Sequence, residues 1–340
     1  MADGDEPGPY NAITDVPGVA VGHTTVRRPP DVHTGVTAVV PAGIGPHPGG
    51  TPLPAALFTA NGYGKLVGAT QVAELGQLES PVVLTSTLCA FRAADAVVSW
   101  MLARPEHAGV LSFNPVVGEC NDGYLSDIRA RPVREEHVLA AIEGAAGGPV
   151  AEGCVGAGTG TCALGFKAGI GTASRLVALE PAGPVRVGVL TQANFGGTLR
   201  LSGAAVLPDP SGPPEDPGPG EDGSCMVVVA TDAALDARQL GRLARRAVFA
   251  LGRVGASYGH GSGDYGLAFS TSAPRGGAPA AVPDRCLDPL FGAVLRATEE
   301  SVLNALCAAV TTTGRLGRTV PAVPVDRLRE LAVRAPSSGP

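Results

Sequence analysis

Short β-branched runs and stripes of helical period follow one another along this chain without settling into a single rhythm. Ser224 to Ala230 (SCMVVVA) is a compact apolar run that predicts a buried strand, and Val185 to Gly196 (VRVGVLTQANFG) alternates like a strand closing in a turn. Gly266 to Ser272 (GLAFSTS) reads as another strand. Between these segments Leu240, Leu243, Val248 and Leu251 recur at helical spacing. Leu290, Val294, Leu295, Val302, Leu303 and Leu306 mark a second amphipathic helix near Pro289 to Val310. Further helices are expected near Leu88 to Ala103 and Arg134 to Gly144. Strands and helices interspersed without a clean β-α-β beat favour a layered α+β sandwich over a doubly wound parallel sheet.

The pattern breaks at residues 207–223, LPDPSGPPEDPGPGEDG, where 15 of 17 residues are Pro, Gly, Asp or Glu. Such a stretch has nothing to pack and reads as an exposed linker, with the buried strand starting directly behind it. Composition agrees that turns are plentiful, with 48 Gly and 31 Pro in 340 residues. At 44% hydrophobic and only 16% charged, however, the chain does not fit charge-driven disorder. A net charge of −6, with basic residues clustered only in pairs such as Arg27-Arg28 and Arg245-Arg246, disfavours a nucleic-acid partner. The acidic start MADGDEPGPY lacks a secretory pattern, and no apolar run approaches membrane length. Seven scattered Cys without a Cys-x-x-Cys pair, and His23, His33, His47, His107 and His137 without ligand spacing, predict no metal site. The expectation is a reduced, soluble cytoplasmic protein whose Cys are mostly small core residues.

Candidate chemistry is spread over several segments. The Gly-rich Gly153 to Gly171, GCVGAGTGTCALGFKAGIG, lacks the Gly-Lys-Ser/Thr of a phosphate loop, and Gly165, Gly169 and Gly171 would interrupt the helix of a dinucleotide site. Its glycines are instead expected to let backbone approach closely, with Lys167 on a turn-rich surface wall. Ser224, first residue of a core strand and preceded by Gly223, is placed to attack the Gly223 carbonyl and, after hydrolysis, become a new amino terminus. An α-amine titrates near 8, so hydroxyl and base would then share one residue. In Gly259 to Tyr265 (GHGSGDY), Ser262 and Asp264 would face one side of an extended segment, and His260 beside them invites a charge-relay reading against that of a plain turn. Asn194 could present its amide to an oxyanion. Glu119 or Asp122, in ECNDG, could bind an ammonium group, while Glu74, Glu299 and Glu300 read as surface residues and Arg238, Arg242, Arg245 and Arg246 as a solvated face.

Taken together, ITDVPGVAVGHTT (Ile13 to Thr25), NGYGK (Asn61 to Lys65), ECNDGYLSDI (Glu119 to Ile128), GAGTGTCALGFKAGIGTASR (Gly156 to Arg175), TQANFG (Thr191 to Gly196), DGSCMVVVATDA (Asp222 to Ala233), GSGDYGLAFST (Gly261 to Thr271) and ESVLNAL (Glu300 to Leu306) resemble the L-aminopeptidase/D-esterase family, which includes the β-peptidyl aminopeptidases. The resemblance implies a four-layer αββα sandwich of amino-terminal-nucleophile type. It implies one precursor cut between Gly223 and Ser224, with an α chain of residues 1–223 and a β chain of residues 224–340 that stay together as one domain and assemble into a homo-oligomer. It implies Ser224 as nucleophile, Ser262 and Asp264 as the pair that positions protons there, Asn194 in the oxyanion hole, and Glu119 near the substrate's amino group. Relatives of this type carry Glu in place of Asp264 and, in some, Tyr in place of Asn121, another substrate-binding candidate; Lys167 matches a lysine used by related amide hydrolases. The implied activity is removal of amino-terminal residues from short peptides, amides or esters without metal or organic cofactor. An acetyltransferase of the ornithine type, usually with Thr at the cut, and a non-catalytic ligand-binding relative are the alternatives.

Overall fold

The computed structural model describes residues 6–47, 49–180, 183–208, 223–272 and 282–334. Most of the acidic linker read from the sequence, residues 209–222, lies outside them. In chain order the strands are β1 (Val19–Arg28), β2 (Val32–Pro41), β3 (Leu53–Gly62), β4 (Gln77–Leu78), β5 (Val82–Ser86), β6 (Val116–Cys120), β7 (Cys162–Ala163), β8 (Phe166–Lys167), β9 (Ile170–Leu179), β10 (Gly183–Asn194), β11 (Leu199–Leu201), β12 (Ala204–Val206), β13 (Ser224–Thr231), β14 (Gly263–Ser270), β15 (Thr312–Thr313) and β16 (Thr319–Val320). The α-helices are α1 (Ala69–Leu75), α2 (Ala90–Leu102), α3 (Glu135–Glu143), α4 (Ala237–Val254), α5 (Asp288–Cys307) and α6 (Val325–Arg334).

Ten strands form two sheets, ordered β1-β2-β5-β6 and β4-β3-β14-β13-β10-β9. The period of two along the strands sorts the buried apolar residues of the two sheets into three layers. In β13, Met226, Val228 and Ala230 enter the core shared by the two sheets, whereas Cys225, Val227 and Val229 pack with residues of α4 and α5. Val36, Ala38, Val83 and Val117 of the first sheet meet α2 and α3 on its other side. The architecture is therefore an αββα sandwich, and a run such as MVVVA is apolar throughout because both of its faces are covered. Parallel pairing of β5 with β6 and of β13 with β14 requires crossover connections, which α2 and α4 supply.

Local sequence explains the helix ends. Asp236 caps α4 by accepting the Gln239 N–H at 2.7 Å, the Gln239 side chain returns to the Asp236 N–H, and Gly255 ends the helix in the left-handed region. Helix α5 lies so close to β9 that a Cβ on Gly171 would sit 1.8 Å from the Ser301 carbonyl oxygen, the close approach expected of this glycine-rich stretch. The expected strand at Gly266 in fact begins at Gly263, because Gly263 and Asp264 join the ladder opposite Ser224 and Cys225. The arginines of α4 are also less free than expected: Arg242 and Arg246 lie over the Phe291 ring, Arg245 over Phe58, and Arg238 pairs with Asp284. Among the described residues no helix is long and apolar enough to cross a membrane.

Candidate active site

Ser224 opens an interior strand, so it has a neighbour on each side: Asn194 across the antiparallel pair with β10 and Gly263 across the parallel pair with β14. Directly opposed residues of a pair share a face, which brings the Ser224 and Asn194 side chains together. Here the two sheets part around a cavity of about 300 Å³. Gly223 and Ser224 line it from the second sheet; Glu119, Asn121 and Thr87 line it from the end of the first; Tyr63, Lys65, His260 and Gly261 complete the wall.

The amide of Asn194 has a fixed orientation. Its Oδ1 accepts the Cys162 N–H at 3.0 Å, a partner that can only donate, so Nδ2 is the end left to serve another group. Gly223 is held as tightly. A Cβ there would stand 2.2 Å from the Asn194 carbonyl oxygen and 2.5 Å from the Phe195 Cα, and the Gly223 carbonyl accepts the Gly263 N–H at 3.1 Å. A carbonyl so engaged is polarised and unable to rotate, both of which favour attack on its carbon.

At the start of β14, Ser262 Oγ, from the residue just before the strand, donates to Asp264 Oδ1 at 2.8 Å, and Asn61 Nδ2 donates to Oδ2 at 3.2 Å. The Cys225 N–H, in the peptide that follows Ser224, reaches the same carboxylate. Burial pushes the Asp264 carboxyl above its ordinary range, and these three donors oppose that shift. Ser262 reaches Asp264 directly, so His260 does not stand between them; its ring lies 6.4 Å from that of Tyr63. Glu119 is 1% exposed, yet it lines the cavity. Its Oε1 accepts the Lys65 N–H at 2.8 Å and its Oε2 accepts the Thr87 hydroxyl. Burial raises the Glu119 carboxyl, opposed by Thr87, the Lys65 N–H and the Lys65 charge. A buried carboxylate with one open side suits an ammonium group that arrives with the substrate.

The model of peptidase family S58 matches residues 11–320. The chain belongs to peptidase family S58. It is a hydrolase of the aminopeptidase kind, and the match sets it with peptidases rather than acetyltransferases. The chain is 42% identical over 357 residues to the β-peptidyl aminopeptidase of Sphingosinicella microcystinivorans, covering 96% of this chain and 88% of that one. Among solved structures it is similar to a Burkholderia sp. β-aminopeptidase, at 38% identity, TM-score 0.85 and coverage of 98% and 96%. It is also similar to the L-aminopeptidase D-Ala-esterase/amidase of Ochrobactrum anthropi, described as a variant of the Ntn hydrolase fold, at 37% identity, TM-score 0.83 and coverage of 96% and 94%.

Two expectations for this S58 peptidase need correction. Lys167 is not a surface residue: it is 0% exposed, and its Nζ donates to the carbonyls of Gly158, Thr161 and Ala168 at 3.2, 2.8 and 2.6 Å. Three carbonyls between Gly158 and Ala168 satisfy the ammonium, and Lys167 does not line the cavity. Asp122 does not face substrate either. It is buried and does not line the cavity, accepts the Ser86 hydroxyl at 2.9 Å through Oδ1, and leaves Oδ2 without a hydrogen-bond partner. Its carboxyl is pushed up to about 6 by burial, opposed by the neighbouring hydroxyls of Thr34 and Ser86. A raised acid contributes stability that is complete below its unfolded value near 4 and is lost as pH climbs through about 6. Asp122→Asn keeps the acceptor for Ser86 and offers an N–H toward the unpartnered Thr34 Oγ1. Its melting temperature at pH 8 is expected to exceed that of the native protein by a few degrees, on the order of 2–3 kcal/mol, with the gap closing toward pH 4; an equal gap at both pH values would refute this.

Asn61, Tyr63, Lys65 and Thr87 were not among the site residues named from sequence. The first three stand in NGYGK, a segment of the family resemblance, so their location was signalled though their roles were not. Thr87 carried no signal, since its partner Glu119 is 32 residues away.

Proposed function

We propose that this S58 peptidase is a self-processing serine aminopeptidase, cut between Gly223 and Ser224, that releases amino-terminal residues from short peptides, amides or esters through an acyl-enzyme. The observation that carries the reading is that Ser224, paired in the ladder with Asn194, lines one cavity together with the buried carboxylate of Glu119. In processing, Ser224 Oγ attacks the Gly223 carbonyl carbon, its proton passes to the departing Ser224 nitrogen, and the peptide becomes an ester. Water then hydrolyses the ester, leaving the Gly223 carboxylate and a free Ser224 amine. Strand pairs β10–β13 and β3–β14 span the two resulting chains and hold them together as one domain.

In turnover the freed amine, titrating near 8, takes the Oγ proton as Oγ attacks the substrate carbonyl. Asn194 Nδ2 donates to the developing oxyanion, and Ser262 with Asp264 orients the groups that move the proton. The proton passes to the departing amine or alcohol, and water attacks the acyl-enzyme with Oγ as leaving group. Glu119 holds the substrate's ammonium group, with Asn121 on the adjoining wall, which gives preference for a free amino terminus. The reaction needs no metal or organic cofactor, and the cytoplasmic homo-oligomer expected from the sequence is part of the proposal. The names of the relatives make β-amino-terminal peptides a class to assay beside L-α and D substrates.

Intact mass spectrometry tests the reading: mature protein should consist of chains of 223 and 117 residues, and an uncut chain that turns over substrate at full rate would overturn it. Gly223 supplies a graded check. Gly223→Ala places a methyl against the backbone of Asn194 and Phe195, so processing should slow by about 100-fold through misplacement of the attacked carbonyl. Material of this variant that does become cut should regain native turnover, because residue 223 is then a chain end. A native cutting rate would contradict the required close approach.

A further inference from the structure

We infer that Asn61 is a positioning residue that locks the Asp264 carboxylate and the His260 wall of the cavity into one arrangement. The inference rests on the role given above to Ser262 and Asp264. One nitrogen, Asn61 Nδ2, lies 3.0 Å from the Tyr258 carbonyl, 3.2 Å from the Gly259 carbonyl and 3.2 Å from Asp264 Oδ2. All three partners are acceptors when Asp264 is ionised, so the amide nitrogen must face them; its two hydrogens are shared among three oxygens.

The backbone is shaped to deliver this contact. Asn61 is opposite Asp264 in the β3–β14 ladder, but the next pair is Thr59 with Tyr265, so Ala60 is an extra residue in β3. A bulge of this kind re-aims the neighbouring side chain. On the other side, Tyr258 has φ +49°, in the left-handed region that a tyrosine rarely occupies. That conformation needs its surroundings to hold it. Tyr258 is tied at two points, its hydroxyl to the Val248 carbonyl at 2.5 Å and its own carbonyl to Asn61. The next residues, Gly259 to Gly261, carry His260 along the cavity, and the Gly259 carbonyl also accepts the Ser262 N–H at 3.0 Å. One side chain thus joins the strained loop, the wall it forms and the carboxylate that Ser262 addresses.

The chemical consequence follows from what surrounds Asp264. The titratable groups that feel its charge are the thiols of Cys225 on β13 and Cys120 on β6 and the phenols of Tyr258 and Tyr265, with the Ser224 amine added once the chain is cut. The neutral thiols and phenols do little to support a negative charge, so the Asn61 donor matters to keeping Asp264 ionised. Asn61→Asp preserves shape but turns the donor into an acceptor against two carbonyls and a carboxylate. Both the cutting rate and kcat/KM should fall about 100-fold, as for other misplaced catalytic groups. The acid limb of kcat/KM against pH should also move up by about one pH unit, since a like charge raises a carboxyl. Asn61→Gln, which keeps the amide donor, should return activity to within about tenfold of native.

The inference is overturned if Asn61→Asp retains rates within about twofold and an unmoved limb. It is also overturned if the Asp and Gln variants lose activity equally, in step with melting temperature, with the limb unchanged. Should Asn61→Asp not fold, Asn61→Ala, which removes the donor without adding charge, carries the same expectation for rate, and its acid limb should also move up because the carboxylate loses a donor that holds its titration down. Asp264→Asn separates this inference from the reading beneath it. Undiminished turnover in Asp264→Asn overturns the role of the Ser262–Asp264 pair, whereas a crippled Asp264→Asn beside a native-like Asn61→Asp overturns the positioning role alone.

Discussion

Ser224→Ala is expected to yield a single uncut chain of 340 residues and to lower turnover by at least about 10⁴-fold, the largest effect of any single change in this molecule. Two losses coincide in this variant: without Oγ there is no attack on Gly223, and without the cut there is no free amine to act as base. The fold itself should be little affected. Ser224 is 4% exposed, its contribution to the ladder comes from backbone, and alanine fits a buried strand start. The variant's melting temperature should therefore lie within a few degrees of that of uncut native protein, which distinguishes lost chemistry from lost structure. Intact mass and a kcat/KM measurement decide the matter. Persistent turnover would assign attack to another group, and a Ser224→Ala chain found cut at the same bond would show that an outside protease makes the cleavage.

Much of this arrangement could be read from the chain because the strongest signals are local. The change from Pro/Gly/acidic sequence to SCMVVVA marks the start of β13 at one residue, and the leucine and valine stripe of α4 is enough to place that helix. Ser262 and Asp264 could be paired because two residues apart on an extended segment share a side. What escaped the sequence depends on distant partners. Gly263 reads as turn until it pairs with Ser224, 39 positions earlier in the chain, and Asn61 acquires meaning only when the fold sets it against Asp264, 203 residues away. Lys167 misled for another reason: a lone lysine among glycines looks exposed, and only the curled backbone of Gly158 to Ala168 turns three carbonyls inward to satisfy it. Family resemblance compensated for part of this, since four of its segments, those holding Lys65, Glu119, Ser224 and Gly261, are brought by folding to the same cavity.

Glu119→Gln is the second change expected to have a large effect, and it separates binding from chemistry. Glutamine keeps an acceptor for the Lys65 N–H, and the Thr87 hydroxyl, which can also accept, can turn to meet the new amide. What disappears is charge. A substrate ammonium that loses a buried, hydrogen-bonded carboxylate should cost about 10²- to 10³-fold in kcat/KM, chiefly through KM, because the ammonium lies away from the bond being broken. Preference for free over acetylated amino termini should shrink by the same factor. The pH dependence follows from the direction in which burial moves this acid. Glu119 titrates above its ordinary range, so native kcat/KM should fall on the acid side at a pH higher than a solvent-exposed Glu would give, and the Gln variant should lose that component of the limb. Stability moves the other way. The neutral form is favoured by the fold, so native stability drawn from this group is present below the unfolded carboxyl value and is lost as pH rises through the raised one. At neutral pH the Gln variant should therefore melt higher than native protein while working far less well. A variant that melts lower yet keeps full discrimination against acetylated substrates would remove Glu119 from ammonium binding and leave it a structural acid.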